Sequence, residues 1–151
     1  MKRKKITVEI TRLPSNTEIE IPSYQSTGAA GMDVRACCSS PVVIQPGERT
    51  LVPTGFAVAI PEGYEVQLRP RSGLASRHGI TLPNSPATID SDFRGEILVP
   101  LINLSREAFT IEPGMRIAQL LIFPVFRIEW HEVPELPKTL RGSGGFGYTG
   151  I

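Results

Sequence analysis

Two short stretches of the 151-residue chain carry residue types that could bind anions and orient water. In Arg69-Pro70-Arg71-Ser72-Gly73, two guanidinium groups, a hydroxyl and an unhindered backbone N–H fall where a strand gives way to a short helix. Arginine presents planar forked donors, and N–H groups at a helix start carry partial positive charge. The stretch can therefore cradle a polyphosphate; the alternative is that its arginines pair with surface carboxylates. In Ile89-Asp90-Ser91-Asp92-Phe93-Arg94-Gly95-Glu96, which follows the turn-like Pro83-Asn84-Ser85-Pro86, an extended backbone would put Asp90 and Asp92 on one face and Phe93 on the other. Two like charges on one face raise at least one pKa or recruit a cation. Carboxylates there can orient a water nucleophile, bind Mg²⁺ or simply solvate a hairpin.

Three further features bear on the same chemistry. Asp33 stands among small and apolar residues in Ala30-Gly31-Met32-Asp33-Val34-Arg35-Ala36, and a buried charge needs a partner, for which Arg35 or a neighbouring chain is the plain candidate. Gln119 interrupts an apolar strand in Met115-Arg116-Ile117-Ala118-Gln119-Leu120, either as a core hydrogen-bonding group or as a phosphate donor. Near the end, Arg141, Phe146 and Tyr148 are spaced among glycines, five in residues 141–150. A cation and two rings on such a segment suit a loop that closes over a planar anionic ligand, and the alternative is a frayed terminus. Gly142-Ser143-Gly144-Gly145-Phe146-Gly147 matches G-x-G-x-x-G formally, but that pattern works only between a strand and a helix, and four residues remain after it.

The elements that must position these groups are strands. Apolar and polar residues alternate in short runs such as Ile6-Thr7-Val8-Glu9-Ile10, Tyr64-Glu65-Val66-Gln67-Leu68 and Phe109-Thr110-Ile111, with Gly and Pro between them. The runs 97–104 and 117–126 are apolar nearly throughout, which suits strands covered on both faces, while Pro100 and Pro124 favour bulges or edges. Only residues 72–79 read as a helix, with Ser72 to cap its start and Gly79 its end. About ten strands and one helix imply an all-β barrel or jelly roll. Composition shifts near residue 131, so residues 1–130 are expected to form the barrel and residues 131–151 a proline-stiffened, glycine-rich arm.

Composition sets the outer bounds. Sixteen basic and 15 acidic residues leave a net charge of +1, which offers no general attraction to nucleic acid or to an anionic membrane. There is no run of ~18 apolar residues to span a bilayer, and the basic start Lys2-Arg3-Lys4-Lys5 lacks the apolar stretch of a signal peptide, so a cytoplasmic location is the default. That basic start reads as a solvated strand edge. The only cysteines, Cys37 and Cys38, are adjacent and read as small buried apolar residues; with only His78 and His131 besides, a structural zinc site is not expected.

Five segments in this order resemble the five motifs of the trimeric deoxyuridine triphosphate nucleotidohydrolases, the dUTPases. They are Ala30-Gly31-Met32-Asp33-Val34-Arg35-Ala36, Arg69-Pro70-Arg71-Ser72-Gly73-Leu74, Asn84 through Asp90-Ser91-Asp92-Phe93-Arg94-Gly95, Gly114-Met115-Arg116-Ile117-Ala118-Gln119, and Arg141-Gly142-Ser143-Gly144-Gly145-Phe146-Gly147. Each is short enough to arise by chance, but the five together, across residues 30–147, are specific. The resemblance implies an all-β, jelly-roll-like distorted barrel with one short helix and a flexible C-terminal arm. It also implies a homotrimer with sites shared between subunits and Mg²⁺-assisted cleavage of dUTP to dUMP and pyrophosphate.

It further assigns roles. Asp90 orients the attacking water, since aspartate is too weak a base to make hydroxide at neutral pH. Arg71, Ser72, Gly73 and Gln119 hold phosphates, and Asn84 and Thr88 belong to the hairpin that reads uracil. Phe93 packs on the deoxyribose and excludes a 2′-hydroxyl; Arg141, Phe146 and Gly147 belong to the closing arm; and Asp33 supports the metal through bound water. Two departures from the motifs stand out. Phe93 replaces a common Tyr, keeping the ring and losing a hydroxyl, and Ala87 replaces a common Gly before Thr88-Ile89-Asp90. The competing readings are a dCTP deaminase of the same general fold and a non-catalytic dUTP-binding regulator; the whole Ile89-Asp90-Ser91-Asp92 segment and the complete arm favour hydrolysis.

Overall fold

Glycine and proline cut the chain, seen in a computed structural model that describes residues 5–16, 18–148 and 150, into ten strands and one helix among those residues. In chain order these are β1 (Glu9–Arg12), β2 (Met32–Arg35), β3 (Val42–Ile44), β4 (Arg49–Ala59), β5 (Tyr64–Pro70), α1 (Ser72–His78), β6 (Ile80–Thr81), β7 (Ala87–Ile89), β8 (Glu96–Asn103), β9 (Phe109–Ile111) and β10 (Arg116–Pro124). One sheet runs β1-β4-β8-β6, a second β2-β10-β5-β7, and β3 pairs with β9. The pairings are antiparallel, and the result is the all-β, jelly-roll-like architecture expected.

The core lies between the two larger sheets. Val52, Val99 and Leu101 meet Val34, Val66 and Leu68 there, each at most 2% exposed. Period-two alternation puts the partners of these residues outside, so Glu65, Gln67 and Arg69 share the outer face of β5. The near-continuous apolar runs proved different from expectation. In β8, Ile97, Val99 and Leu101 are buried while Leu98 is exposed, and in β10 only Ile117 and Ala118 are fully buried. Among the described residues no second layer fully covers the outer faces of those strands, and an apolar run does not reveal whether one exists. Pro100 does sit where β8 is an edge. The two residues of β6 pair only with Asn103 and Ile102, so at Pro100 the ladder continues on the β4 side alone, opposite Leu51.

A break in β4 ties distant parts together. Its register with β8 shifts between Pro53 and Ala57, and Gly55 there adopts φ 71. The Gly55 N–H donates to Glu96 Oε1 at 2.8 Å, the Thr54 hydroxyl donates to the Ile97 carbonyl at 2.7 Å, and the buried Asn16 amide donates to the Thr54 and Gly55 carbonyls. The start of β8, just after the Asp90 turn, is thereby clamped to β4.

Three local expectations require correction. Ser72 does not cap α1: Arg71 occupies the N-cap in extended conformation without a side-chain cap bond, and Ser72 is the first helical residue. Gly79 ends the helix as expected, at φ 65, donating to the Ala75 and Leu74 carbonyls. Cys37 and Cys38 are free thiols that are half-buried rather than buried. Partial burial, with Glu96 and Cys38 adding negative charge nearby, pushes the Cys37 thiol above its ordinary range, and Arg12 opposes the shift. Of the basic start, Lys2 to Lys4 lie outside the described residues, and Lys5 is exposed and in no strand.

Candidate active site

The strand order brings residues far apart in sequence into one outward-facing cluster. β10 lies between β2 and β5, and Gln119 is the register partner of both Asp33 and Arg69, so the three side chains share a face. Asp33 is not paired with Arg35, which donates instead to the Gly114 carbonyl at 2.9 Å. Its partners are Arg71, whose Nε lies 3.2 Å from Oδ1, and Arg116, whose Nη1 lies 3.2 Å from Oδ2. Arg71 also donates to the Arg116 carbonyl. Arg69 belongs elsewhere: it donates to Gln67 Oε1, stacks 4.8 Å above the Phe123 ring, and so does not share the Arg71 cradle.

Arg116 is the participant that residue-by-residue reading missed. It stood in view within Gly114-Met115-Arg116, but only the folded β2–β10 pair shows that its side chain, opposite Arg35 in register, reaches Asp33. Two cations on one carboxylate leave a local surplus of positive charge. The Gln119 side chain makes no hydrogen bond among the described residues, which leaves its amide donors for a ligand. Ser72 and Gly73 open α1 beside Arg71, and a Cβ on Gly73 would meet nothing within 4 Å, so packing within the chain does not require a glycine there.

A second group lines a cleft of about 280 Å³ at the β7–β8 connection, which is not the hairpin expected, since β7 pairs with β5 and β8 with β4 and β6 in the other sheet. Asn84, Thr88, Asp90 and Phe93 are in its wall, with Ala87, Glu96 and Leu98. Asp90 and Phe93 reach the same cleft because residues 90–93 form a turn, closed by the Phe93 N–H on the Asp90 carbonyl at 3.2 Å. The extended backbone that would have sent them to opposite faces ends at Ile89. The side chains of Asn84, Thr88 and Asp90 make no hydrogen bonds among the described residues. They present an amide, a hydroxyl and a carboxylate above an apolar floor, and Ala87 fits that floor at 7% exposure opposite Leu68.

The third group stands apart from both. Phe146 is fully exposed, and Arg141 donates to the Gly144 carbonyl at 2.8 Å and lies 5.9 Å from the Tyr148 ring, contacts local to the arm. Gly147 adopts φ 92, a left-handed turn that glycine makes readily. The chain thus brings together Asp33, Arg71 and Gln119, and separately Asn84, Thr88, Asp90 and Phe93. The cleft wall includes no member of the first cluster and none of the arm.

Among the described residues no group of three or more His, Cys, Asp or Glu can cage a metal ion. Mg²⁺ does not need one: it keeps several waters and takes one or two carboxylates plus substrate phosphates. With each Asp33 oxygen already holding a guanidinium, Asp33 would support a phosphate-borne magnesium only through water, and that donor set fits the ion.

The dUTPase family profile matches residues 17–150. A deoxyuridine 5′-triphosphate nucleotidohydrolase of Desulfotalea psychrophila is 57% identical over 133 residues, 88% of this chain and 89% of that one. One of Rhizobium leguminosarum bv. trifolii is 54% identical over 147 residues, 96% and 94% of the respective chains. Among solved structures, the dUTPase of Staphylococcus bacteriophage 80alpha with dUPNHPP superposes with a TM-score of 0.84 at 26% identity, covering 96% of this chain and 99% of the phage chain. With a matching profile over most of its length and relatives above half identity, the chain belongs to the dUTPase family.

Proposed function

We propose that the protein hydrolyses dUTP to dUMP and pyrophosphate, with water attacking the α-phosphorus, and that it thereby limits uracil incorporation into DNA and supplies dUMP for dTMP synthesis in the cytoplasm. The observation that carries the reading is the cleft in which an unpartnered Asp90 carboxylate stands with the Asn84 amide and the Phe93 ring. Asn84 and Thr88 offer hydrogen bonds to the edge of a uracil, Phe93 offers a face to a deoxyribose, and Asp90 accepts a hydrogen bond from a water and aims it. Positioning of this kind accounts for much of phosphoryl-type catalysis, which depends on in-line placement and on spreading charge over the phosphate oxygens.

Arg71, Ser72, Gly73 and Gln119 bind those oxygens in this reading, and Asp33 fixes Arg71 and Arg116 in place. Mg²⁺, bound through the phosphates, supplies further charge neutralisation. The cradle and the cleft are separate in one chain and, among the described residues, the arm lines neither, which supports a complete site formed between subunits of a homotrimer. The arm brings Arg141 to the phosphates, and Phe146 and Gly147 over the base. Incubation of the purified chain with dUTP, dCTP and Mg²⁺ tests the reading. Pyrophosphate from dUTP alone is expected; ammonia from dCTP would replace the reading with a deaminase, and neither product would replace it with a binding regulator.

A further inference from the structure

We propose that Gly95 is a positioning residue that sets the Phe93 ring and through it the discrimination between deoxyribose and ribose, an inference that rests on the reading of the cleft given above. A Cβ on Gly95 would lie 2.7 Å from Phe93 Cζ, 3.0 Å from Cε2 and 3.5 Å from Cε1. The first two distances are too short for carbon contacts, so any side chain at position 95 must displace the tip of the ring. The backbone gives no other reason for a glycine: Gly95 is not among the positive-φ residues, and the three nearest atoms to such a Cβ all belong to Phe93.

The surroundings direct the displacement into the ring. On one side the turn is held by the Phe93 N–H on the Asp90 carbonyl, and by Arg94 Nη1, which donates to the Ser91 carbonyl at 2.7 Å and the Phe93 carbonyl at 2.8 Å. On the other, Glu96 is fixed by the Gly55 N–H at 2.8 Å, and Gly55 is itself enclosed by Asn16 and Cys37. The backbone of residues 90–96 is braced at both ends, so the free end of the Phe93 side chain is what gives. Asp90, at the opposite end of the turn, keeps its place. A substitution at Gly95 therefore alters the sugar wall and spares the carboxylate.

The test is Gly95→Ala assayed with dUTP and UTP. The preference for dUTP in kcat/KM narrows about tenfold, the scale of a misfitted apolar wall, with the loss on dUTP carried by KM rather than kcat. In a Phe93→Leu background, where the ring tip is gone, the same substitution changes the preference less than twofold, because the coupling runs through the ring. An active wild type whose preference is unmoved by Gly95→Ala, or an equal effect in both backgrounds, overturns the proposal. A wild type inert toward dUTP overturns the hydrolase reading instead. Ring placement is then judged without turnover, from the ¹⁹F resonance of para-fluorophenylalanine at position 93, assigned by its loss in Phe93→Leu. That resonance moves in Gly95→Ala, and its constancy overturns the proposal. Should Gly95→Ala not fold, recovery of folding in Gly95→Ala/Phe93→Leu supports the ring contact, and continued misfolding overturns it.

Discussion

Asp90 is an unpartnered carboxylate beside a ring, and the proposed chemistry rests on it. Asp90→Asn keeps the shape and a hydrogen-bond acceptor but loses the charge proposed to hold and polarise a water. It is expected to leave the fold and dUTP binding largely intact while turnover falls by about two to four orders of magnitude. Isothermal titration with a non-hydrolysable dUTP analogue, set beside steady-state kinetics, separates the two quantities, and ordinary turnover in the variant would remove Asp90 from its role. Asp33 presents the contrasting case, a carboxylate with both oxygens already engaged, one by Arg71 and one by Arg116.

The broken strand β4 is the element on which the cleft depends. Its break lets Gly55 turn its N–H toward Glu96, and Asn16 fills the space beside it. Alanine at Gly55 would have to adopt φ 71 and place a Cβ 2.3 Å from Asn16 Cβ and 2.8 Å from Cys37 Sγ. Left-handed strain of about 1–2 kcal/mol and overpacking of about 1–3 kcal/mol add, so Gly55→Ala is expected to destabilise the fold by about 2–5 kcal/mol in urea unfolding. A loss below 1 kcal/mol would show that the β4–β8 clamp yields easily. Gly95 offers the opposite profile, since its Cβ meets a movable ring tip; substitution there is expected to change selectivity before stability.

For the whole molecule, the question is how two half-sites and an arm become one site. Residues 131–148 carry exposed apolar groups, Leu136, Leu140 and Phe146 among them, that nothing among the described residues covers. In the proposed reading such an arm gains order by stacking Phe146 on a base, a contact of about 1–3 kcal/mol. Truncation after Leu140 is expected to preserve the melting temperature and the trimer mass while most turnover is lost. Co-refolding truncated chains, which retain Asp90, with full-length Asp90→Asn chains, which retain the arm, is expected to restore activity if the two come from different subunits. Mixed trimers, verified by mass, that remain as inactive as either parent would place the arm over its own subunit's Asp90 or outside catalysis.

Much of the fold was legible in the chain because burying one face of a sheet demands period-two alternation, and Gly and Pro mark where it stops. β9 was readable residue for residue at Phe109-Thr110-Ile111, and α1 stood out as the one break in the pattern. The candidate site residues were legible as types in a fixed order. What tertiary structure alone decided were relations between distant segments. Asp33 meets Arg71 and Arg116 rather than its neighbour Arg35 because β10 inserts between β2 and β5, and register across strands is set by the whole core. Asp90 and Phe93 share a cleft because a turn closed by the Phe93 N–H on the Asp90 carbonyl replaces the extended backbone after Ile89, and β8, which follows, is tied to Gly55, a residue more than 30 positions before Asp90. The outer faces of β8 and β10 looked covered and are partly open, since an apolar run records that a surface avoids water without naming what covers it.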